Sequence, residues 1–308
     1  MSGVSSPDKS TEAAVKALTG RAERILKARP AYKEMVDFYL TVFRRQIEWR
    51  DRLAVHPEPV DRDQVRACLN GGAPLVERYD PGIESDSLLA LWVEMKQVFH
   101  RGNPVLREAV ERIEKAEREG DLLPASWLAE QRPDRAELVG DAADKIGVDE
   151  DVLATLVRAV TFPHWQVVSE SWLPSSGRLH EWKRHRCPTC GGLPALVELC
   201  SGRSSGDANI TPAPQRFMHC AFCASRWIVP ELQCPACDST KSGDAKYFFT
   251  SEEPELRIDF CKSCNHYVKV VDANKISGGI HAGLESLTTA HLDQIAQEKK
   301  LAPLEVIT

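Results

Sequence analysis

The chain lacks the features that mark membrane, secreted and nucleotide-binding proteins. None of its 308 residues belongs to a run of the roughly 18 consecutive apolar residues that a membrane-spanning helix needs. The first residues, Met1 to Thr11, are polar and contain no apolar run that could serve as a secretory signal. No Gly-rich phosphate loop and no pairing of nucleophile with base stands out. We therefore expect a cytoplasmic protein without a membrane span, and a binding protein rather than an enzyme.

A surplus of basic residues is also missing. The formal net charge is −6 and the isoelectric point is about 5.9. From Ser176 onward, 15 Lys and Arg balance 15 Asp and Glu, so the first part of the chain carries the whole negative charge. Proteins that bind nucleic acid through its phosphates need clustered Lys and Arg. We therefore expect no nucleic-acid partner.

Cysteine, in contrast, is concentrated in one stretch. Eight of the ten cysteines form four Cys-x-x-Cys pairs, which are Cys187 with Cys190, Cys220 with Cys223, Cys234 with Cys237, and Cys261 with Cys264. One such pair could be a redox motif, but four in series predict two four-thiolate metal sites. A reducing cytoplasm also favours metal ligands over disulfides.

The spacing within each pair suits a tight metal-binding turn. Two intervening residues allow both sulfurs to face one ion while backbone N–H groups point at the thiolates. Proline after the first cysteine presets φ, and a residue that tolerates positive φ after the second lets the chain turn away. Alanine is poorly suited to this last position. The residues concerned are Pro188 and Pro235 after the first cysteine, and Gly191, Ala224, Asp238 and Asn265 after the second.

The order of the pairs predicts which cysteines share an ion. The two pairs with proline look like first halves of a site, and the two without proline look like second halves. The expected first site is Cys187, Cys190, Cys220 and Cys223, and the expected second site is Cys234, Cys237, Cys261 and Cys264. A crossed arrangement, in which the pair at Cys187 joins the pair at Cys234, stays open.

At these residues the sequence resembles the FdhE family. The resemblance is carried by C-P-T-C-G-G-L-P from Cys187, H-C-A-F-C-A-S-R-W from His219, C-P-A-C from Cys234, and C-K-S-C-N-H-Y-V-K from Cys261. Members of this family are formate dehydrogenase accessory proteins with a helical N-terminal region and two rubredoxin-like modules. A long polar insertion between Ser201 and Gln215 departs from the pattern, and the helical half agrees only in size and character.

The resemblance implies a non-enzymatic assembly factor that binds the catalytic subunit of formate dehydrogenase during its maturation. It also implies rubredoxin-type iron in at least some members. Zinc fits four thiolates equally well, so the sequence leaves the metal open. Two other functions stay open as well, namely a rubredoxin-like electron-transfer protein and a zinc-ribbon nucleic-acid-binding module. The neutral charge of the cysteine-bearing part disfavours the latter.

The first half of the chain predicts an all-α domain over residues 1–175. Apolar residues recur at steps of three and four from Met35 to Ile47 and from Leu88 to Phe99. A similar face from Val152 to Val160 predicts another helix, which we expect to stop near Pro163 because proline breaks the helical hydrogen-bond ladder.

Local signals add detail to this helical half. Asn103 before a proline is a predicted N-cap, and Gly120 is the predicted C-terminal end of the same helix. The stretch between Pro57 and Gly82 is rich in proline, glycine and charge, which predicts loops with at most short helical pieces. Cys68 within it has no partner nearby in sequence and is expected to be a small packed side chain.

Short strands are predicted around the cysteine pairs, at Ala195 to Leu199, Trp227 to Val229, Tyr247 to Phe249 and Tyr267 to Val271. They predict two tandem rubredoxin-like, or zinc-ribbon-like, modules over residues 176–230 and 231–308. A terminal helix from Leu287 to Leu301 could fold back or serve an interface, which leaves a homodimer open. The overall prediction is an α+β multidomain protein.

Several histidines invite a functional interpretation. His180 and His185 are five positions apart, so they fail the His-Glu-x-x-His pattern of zinc proteases, in which the histidines are four apart. His219 and His266 lie directly beside expected ligands, where they could contact the metal-binding residues or simply face solvent.

Overall fold

The computed structural model describes residues 9–173, 179, 182, 184–201, 214–231, 233–234 and 236–304. The breaker predicted at Pro174 to Gly177, His180, Pro235 and most of the polar insertion lie outside these residues. The chain forms two compact units, one of Met1–His56 with Gly82–Val167 and the other of Pro57–Pro81 with Val168–Ile307. The module boundaries expected at residues 175 and 230 stay predictions.

Helices dominate the described chain before the first cysteine pair, as the sequence predicts. They are α1 (Lys9–Ala28), α2 (Lys33–Trp49), α3 (Arg62–Asn70), α4 (Ser85–His100), α5 (Pro104–Glu119), α6 (Pro124–Ala129), α7 (Glu137–Ile146) and α8 (Glu150–Trp172). Among the helices that the structure describes, none combines the length and the apolar character needed to cross a bilayer.

The core of the first unit is built on α4. Its predicted apolar face is confirmed, since Leu88, Trp92, Met95 and Phe99 are at most 2 % exposed. Burying a side chain of this size contributes roughly 1.5–3 kcal/mol, so this one face stabilises the unit substantially. The predicted caps of α5 are also confirmed. Asn103 Oδ1 accepts a hydrogen bond from Leu106 N at 3.0 Å, and Gly120 takes the left-handed conformation that ends the helix.

The expected stop at Pro163 is wrong, because α8 continues through it to Trp172. Proline has no N–H to donate to the carbonyl four residues earlier, which belongs to Ala159. In the fold that carbonyl accepts a hydrogen bond of 2.9 Å from Gln46 Nε2 on α2. The side chain of a distant helix thus replaces the lost backbone bond.

The loop predicted between Pro57 and Gly82 contains a nine-residue helix, α3. A capping box begins it: Asp61 Oδ1 accepts from Gln64 N at 2.8 Å, and Gln64 Oε1 accepts from Asp61 N at 2.9 Å. These reciprocal bonds satisfy N–H groups that a helix start leaves free. Cys68 is fully buried in α3, as expected of a packed side chain.

The cysteine-bearing part folds into a seven-stranded sheet. Its strands are β1 (Pro194–Ser201), β2 (Pro214–Cys220), β3 (Arg226–Val229), β4 (Ala245–Phe248), β5 (Leu256–Cys261), β6 (His266–Asp272) and β7 (Ala302–Pro303). The order is β3-β2-β1-β6-β5-β4, with β7 paired to β6. The predicted strand segments fall in β1, β3, β4 and β6, whereas β2 and β5 were not predicted. A parallel pairing of β1 with β6, through Val197 and Val270, joins the two cysteine-bearing halves.

The terminal segment forms two short helices where one was predicted, α9 (Ala282–Thr288) and α10 (Ala290–Glu298). Leu292 and Ala296 of α10 join a buried cluster with Leu256 and Tyr267 of the sheet. The α+β prediction, with helices first, then a sheet bearing two four-cysteine clusters and a helical C-terminal part, is confirmed.

Candidate metal centres

All four Cys-x-x-Cys pairs lie in tight turns of the same kind. In three of them the amide two positions after the first cysteine donates to its sulfur: Thr189 N to Cys187 Sγ at 3.4 Å, Phe222 N to Cys220 Sγ at 3.3 Å, and Ala236 N to Cys234 Sγ at 3.3 Å. Such N–H groups stabilise negative charge on the sulfur, as the spacing predicts. These turns are therefore shaped to hold thiolates.

The residue after each second cysteine has a positive φ, at 77° for Gly191, 60° for Ala224, 57° for Asp238 and 61° for Asn265. The sequence marked Ala224 as unsuited to this conformation, yet it adopts it. A left-handed conformation costs an L-residue with a Cβ roughly 1–2 kcal/mol. The second turn therefore carries a backbone strain that glycine would relieve.

The eight sulfurs fall into the two groups that the order of the pairs predicts. Within each group, all ligand atoms lie within 4.8 Å of one another; the groups are Cys187, Cys190, Cys220 and Cys223, and Cys234, Cys237, Cys261 and Cys264. We call them the first and the second cluster. The crossed arrangement is not the one the structure shows.

Sulfur spacing in both clusters matches a tetrahedral metal site. Four sulfurs at about 2.3 Å from one ion lie about 3.8 Å from each other. The observed separations are 3.4 Å from Cys187 to Cys223 and 3.5 Å from Cys190 to Cys220. In the second cluster they are 3.6 Å from Cys234 to Cys264 and 3.9 Å from Cys237 to Cys261. Disulfides, with sulfurs about 2.05 Å apart, are not formed.

The first cluster is closed to solvent. None of its cysteines is more than 4 % exposed. Beside it lies a chain of buried hydroxyls centred on Ser225, whose Oγ is 3.0 Å from Cys223 Sγ and 2.6 Å from both Thr189 Oγ1 and Ser169 Oγ. Each of these hydroxyls has a hydrogen-bonding partner in a buried environment, where such bonds are strong, and the network therefore holds the turns around the cluster in place.

A backbone segment after α3 supports the first turn of this cluster. Leu75 N donates to Pro188 O at 2.9 Å, and Val76 N donates to Thr189 O at 3.0 Å. A Cβ at Gly191 would lie 3.2 Å from the ring of Pro74, so a side chain here would press on this support. Glycine at Gly191 thus serves both the positive φ and the close approach.

The thiol pKa values show what the first cluster requires. Burial raises the pKa of Cys190 and of Cys220 well above the ordinary value, and the hydrogen bond each makes with Cys187 adds to the rise. At Cys187 burial also acts upward, but hydrogen bonds from Cys190, Cys220 and Cys223 hold its pKa well below the ordinary value. Burial thus disfavours negative charge on Cys190 and Cys220, and four neighbouring thiolates need the charge of a cation.

The second cluster is open on one side. Cys234 and Cys261 are buried, Cys264 is half-buried and Cys237 is exposed. Burial raises the pKa of Cys234 and of Cys264. Burial also acts upward at Cys261, yet its pKa is lowered, because the backbone N–H groups of Cys264 and Ser263 stabilise its thiolate. Each cluster could hold one metal ion, and the donor sets fit zinc and iron alike.

Comparison with known proteins places this architecture. No family model matches the sequence. The chain is similar to the FdhE homologue of Aquifex aeolicus, with 24 % identity over 80 % of this chain and 77 % of that protein, and to that of Serratia proteamaculans, with 27 % identity over 76 % and 78 %. The crystal structure of the FdhE protein from Pseudomonas aeruginosa shares the fold, with a TM-score of 0.60 and 17 % identity over 94 % of this chain and 93 % of that one. The chain is therefore similar to FdhE proteins in sequence over most of its length and in fold.

The histidines beside the cluster cysteines have different partners. His219 Nε2 lies 2.9 Å from Glu198 Oε2, which also accepts from Arg226 Nε at 2.7 Å. His266 Nδ1 donates to Cys264 O at 2.9 Å, so it steadies the backbone of a cluster residue. His185 lies 3.7 Å from Asp238, next to the second cluster.

Sequence reasoning missed the polar support of the clusters. Ser225 and Thr189 lie within two residues of cluster cysteines, and that nearness was the available signal. Ser169 lies on α8, so nothing local in the sequence links it to the cluster. Cys200 belongs to neither cluster, and its sulfur accepts a hydrogen bond from Arg226 Nη2 at 3.2 Å.

Proposed function

We propose that this protein is a cytoplasmic, non-enzymatic accessory factor that binds the catalytic subunit of a molybdenum- or tungsten-containing formate dehydrogenase during its maturation. The similarity to FdhE homologues supports the proposal, because the sequence resemblance implies this role for the members of that family. The protein acts as a single chain or as a homodimer, which light scattering on the purified protein distinguishes.

In this proposal the eight cluster cysteines each bind metal and make the surface of the sheet rigid. The first cluster ties the turn before β1 to the turn between β2 and β3. The second ties the turn before β4 to the turn between β5 and β6. A bound ion would fix three strand ends at each cluster, and metal binding of this kind contributes directly to folding.

The test couples metal content to client binding. The purified chain is immobilised and exposed to the catalytic subunit without its cofactor. Cys190→Ser is expected to lose one metal ion and most of the bound subunit, while Cys200→Ser, a matched change outside the clusters, should retain both. Undiminished binding of the subunit by Cys190→Ser would show that the first cluster does not support the client surface.

One observation favours a second candidate, rubredoxin-like electron transfer. Cys237 is exposed, so the second cluster reaches the protein surface. Iron held by four thiolates can exchange one electron without changing its ligands, whereas zinc cannot. Anaerobic purification followed by visible spectroscopy separates the two: an iron–thiolate absorption that bleaches on reduction supports electron transfer, and a colourless protein with two zinc ions removes it.

A further inference from the structure

A pocket of about 160 Å³ lies beside the second cluster, with Cys234 and Cys261 in its wall. A cavity of this size accepts a group as large as a benzene ring. The pocket lies wholly within the second unit, and two cluster cysteines contribute to its wall. It is therefore large enough for a side chain from another molecule.

Apart from the cluster cysteines, the pocket wall carries more positive than negative side chains. Arg216, Lys246 and Arg257 contribute to it, against Glu231 and Asp259. Both arginines share one carboxylate: Arg216 Nη2 lies 2.9 Å and Arg257 Nη2 lies 3.2 Å from Asp259 Oδ2. Asp259 therefore cannot neutralise both guanidinium groups.

Arg216 has unused hydrogen-bonding capacity. It is only 4 % exposed, and its Nη1 donates to the carbonyl of Glu231 at 2.7 Å. Its Nε has no hydrogen-bond partner among the residues that the structure describes. Because Nε itself is buried, Arg216 would act on a ligand in the pocket through the charge of its guanidinium group.

The pocket opens beside β4, an outer strand of the sheet. Within the described chain β4 pairs only with β5, so one side of its backbone has no strand partner. Tyr247 and Phe249 are 60 % and 59 % exposed, and their rings stack at 6.3 Å. The guanidinium of Arg257 lies 4.8 Å from the Tyr247 ring and links these aromatics to the pocket.

From these features we infer that an extended segment of a partner protein adds to the sheet along β4 and places an acidic side chain in the pocket, against Arg216 and Arg257. An open strand edge pairs with extended backbone, and a pair of guanidinium groups recognises a planar carboxylate. The exposed rings of Tyr247 and Phe249 would cover an apolar neighbour of that side chain. The inference rests on the proposed function, since it names how the client is recognised.

The negative charge of a metal-loaded second cluster would repel the acidic side chain of the bound segment. Four thiolates around a divalent ion leave two uncompensated negative charges, and a trivalent ion leaves one. The acidic segment is therefore expected to bind more tightly when gallium(III) replaces zinc(II) in the clusters. This dependence would separate the pocket from acidic-peptide binding elsewhere on the protein.

The test uses a fluorescein-labelled peptide in which threonine and valine alternate around one central glutamate. Fluorescence anisotropy measures its binding to the full zinc-loaded chain. The same peptide with glutamine should bind about tenfold more weakly, as loss of a charge-assisted hydrogen bond predicts. Arg257→Gln should weaken the glutamate peptide by a similar factor and barely affect the glutamine peptide. Tyr247→Ser should weaken both peptides, and Lys115→Gln, an exposed change in the first unit, neither.

Equal affinities for the two peptides would overturn the carboxylate pocket. Undiminished binding of a backbone-N-methylated peptide, or equally tight binding of free glutarate, would overturn strand addition. If the Arg257→Gln and Tyr247→Ser variants bind formate dehydrogenase as well as the unaltered chain does, this surface would be refuted and the proposed function would stand. If the unaltered chain binds the peptide but not the formate dehydrogenase subunit, the proposed function would be refuted and this surface would stand.

Discussion

Acidification is expected to destabilise the first unit through His164, a fully buried histidine on α8. Its Nδ1 donates to Val160 O at 2.8 Å, so its Nε2 accepts from Ser87 Oγ at 2.9 Å. Ser87 Oγ in turn accepts from Ala54 N at 3.0 Å. Burial lowers the pKa of His164 from 6.5 to about 4, against the smaller upward effect of its hydrogen bonds. The folded protein therefore holds a neutral imidazole.

The sign and size of the effect follow from this pKa. Because the folded-state pKa lies below the unfolded one, the contribution is fully present above pH 6.5 and is lost as the pH falls towards 4. At most it amounts to about 3 kcal/mol, of which about 2 kcal/mol is lost between pH 7.5 and pH 5. A loss of this size is a large fraction of the stability of an ordinary domain.

Denaturant unfolding at both pH values, for the unaltered chain and for His164→Gln, isolates this contribution. The variant is less stable at pH 7.5, but the difference between the two proteins should shrink by about 2 kcal/mol at pH 5. Other acid effects, including metal loss from the clusters, act on both proteins and cancel. If the variant does not fold, NMR titration of the imidazole in the unaltered chain measures the pKa directly. An unchanged difference at both pH values, or a pKa near 6.5, would refute the reasoning.

Three further predictions concern the clusters. Ala224→Gly should raise the free energy of unfolding of the zinc-loaded protein by up to about 1 kcal/mol, because it relieves a left-handed alanine. The control variant Asp238→Gly should be stabilised less. A lower free energy of unfolding for Ala224→Gly in denaturant titrations would contradict the proposed strain. Metal should leave the second cluster first when a thiol reagent is titrated against a chromogenic chelator, since Cys237 is exposed, and single-phase release of both ions would argue against the difference in access. Ser225→Ala should lower the free energy of unfolding by about 1–3 kcal/mol, because it leaves buried hydroxyls unpaired. Ser239→Ala at the second cluster should lower it less. Equal melting temperatures of the two variants would contradict a special role for Ser225.

Local patterns predicted the parts of this fold whose causes are local. The cysteine spacing predicted the turns and the composition of both clusters, because a Cys-x-x-Cys turn is determined by its own few residues. The caps of α5 and the apolar face of α4 were predictable for the same reason. The sequence also showed that alanine is poorly suited to position 224. It did not show that the fold would nevertheless place Ala224 at a positive φ.

The failures arise from contacts between residues distant in sequence. Pro163 looked like a helix end, but Gln46, on another helix, satisfies the carbonyl that the proline leaves free. Between Pro57 and Gly82 the sequence predicted at most short helical pieces, and the structure has a nine-residue helix there, α3, whose capping box is itself a local signal. The strands β2 and β5 end at the first cysteines of the second and fourth pairs and carry charged residues such as Arg216 and Asp259, which pair with each other across the sheet. No periodicity within either strand reveals that pairing.

Native mass spectrometry of the anaerobically purified chain, with element analysis of the same sample, tests the central claim most directly. Two metal ions per chain are expected, with one lost in Cys190→Ser, the other lost in Cys237→Ser, and neither in Cys68→Ser. A metal-free protein with eight titratable thiols, or one in which a single substitution removes both ions, would contradict two independent four-cysteine sites.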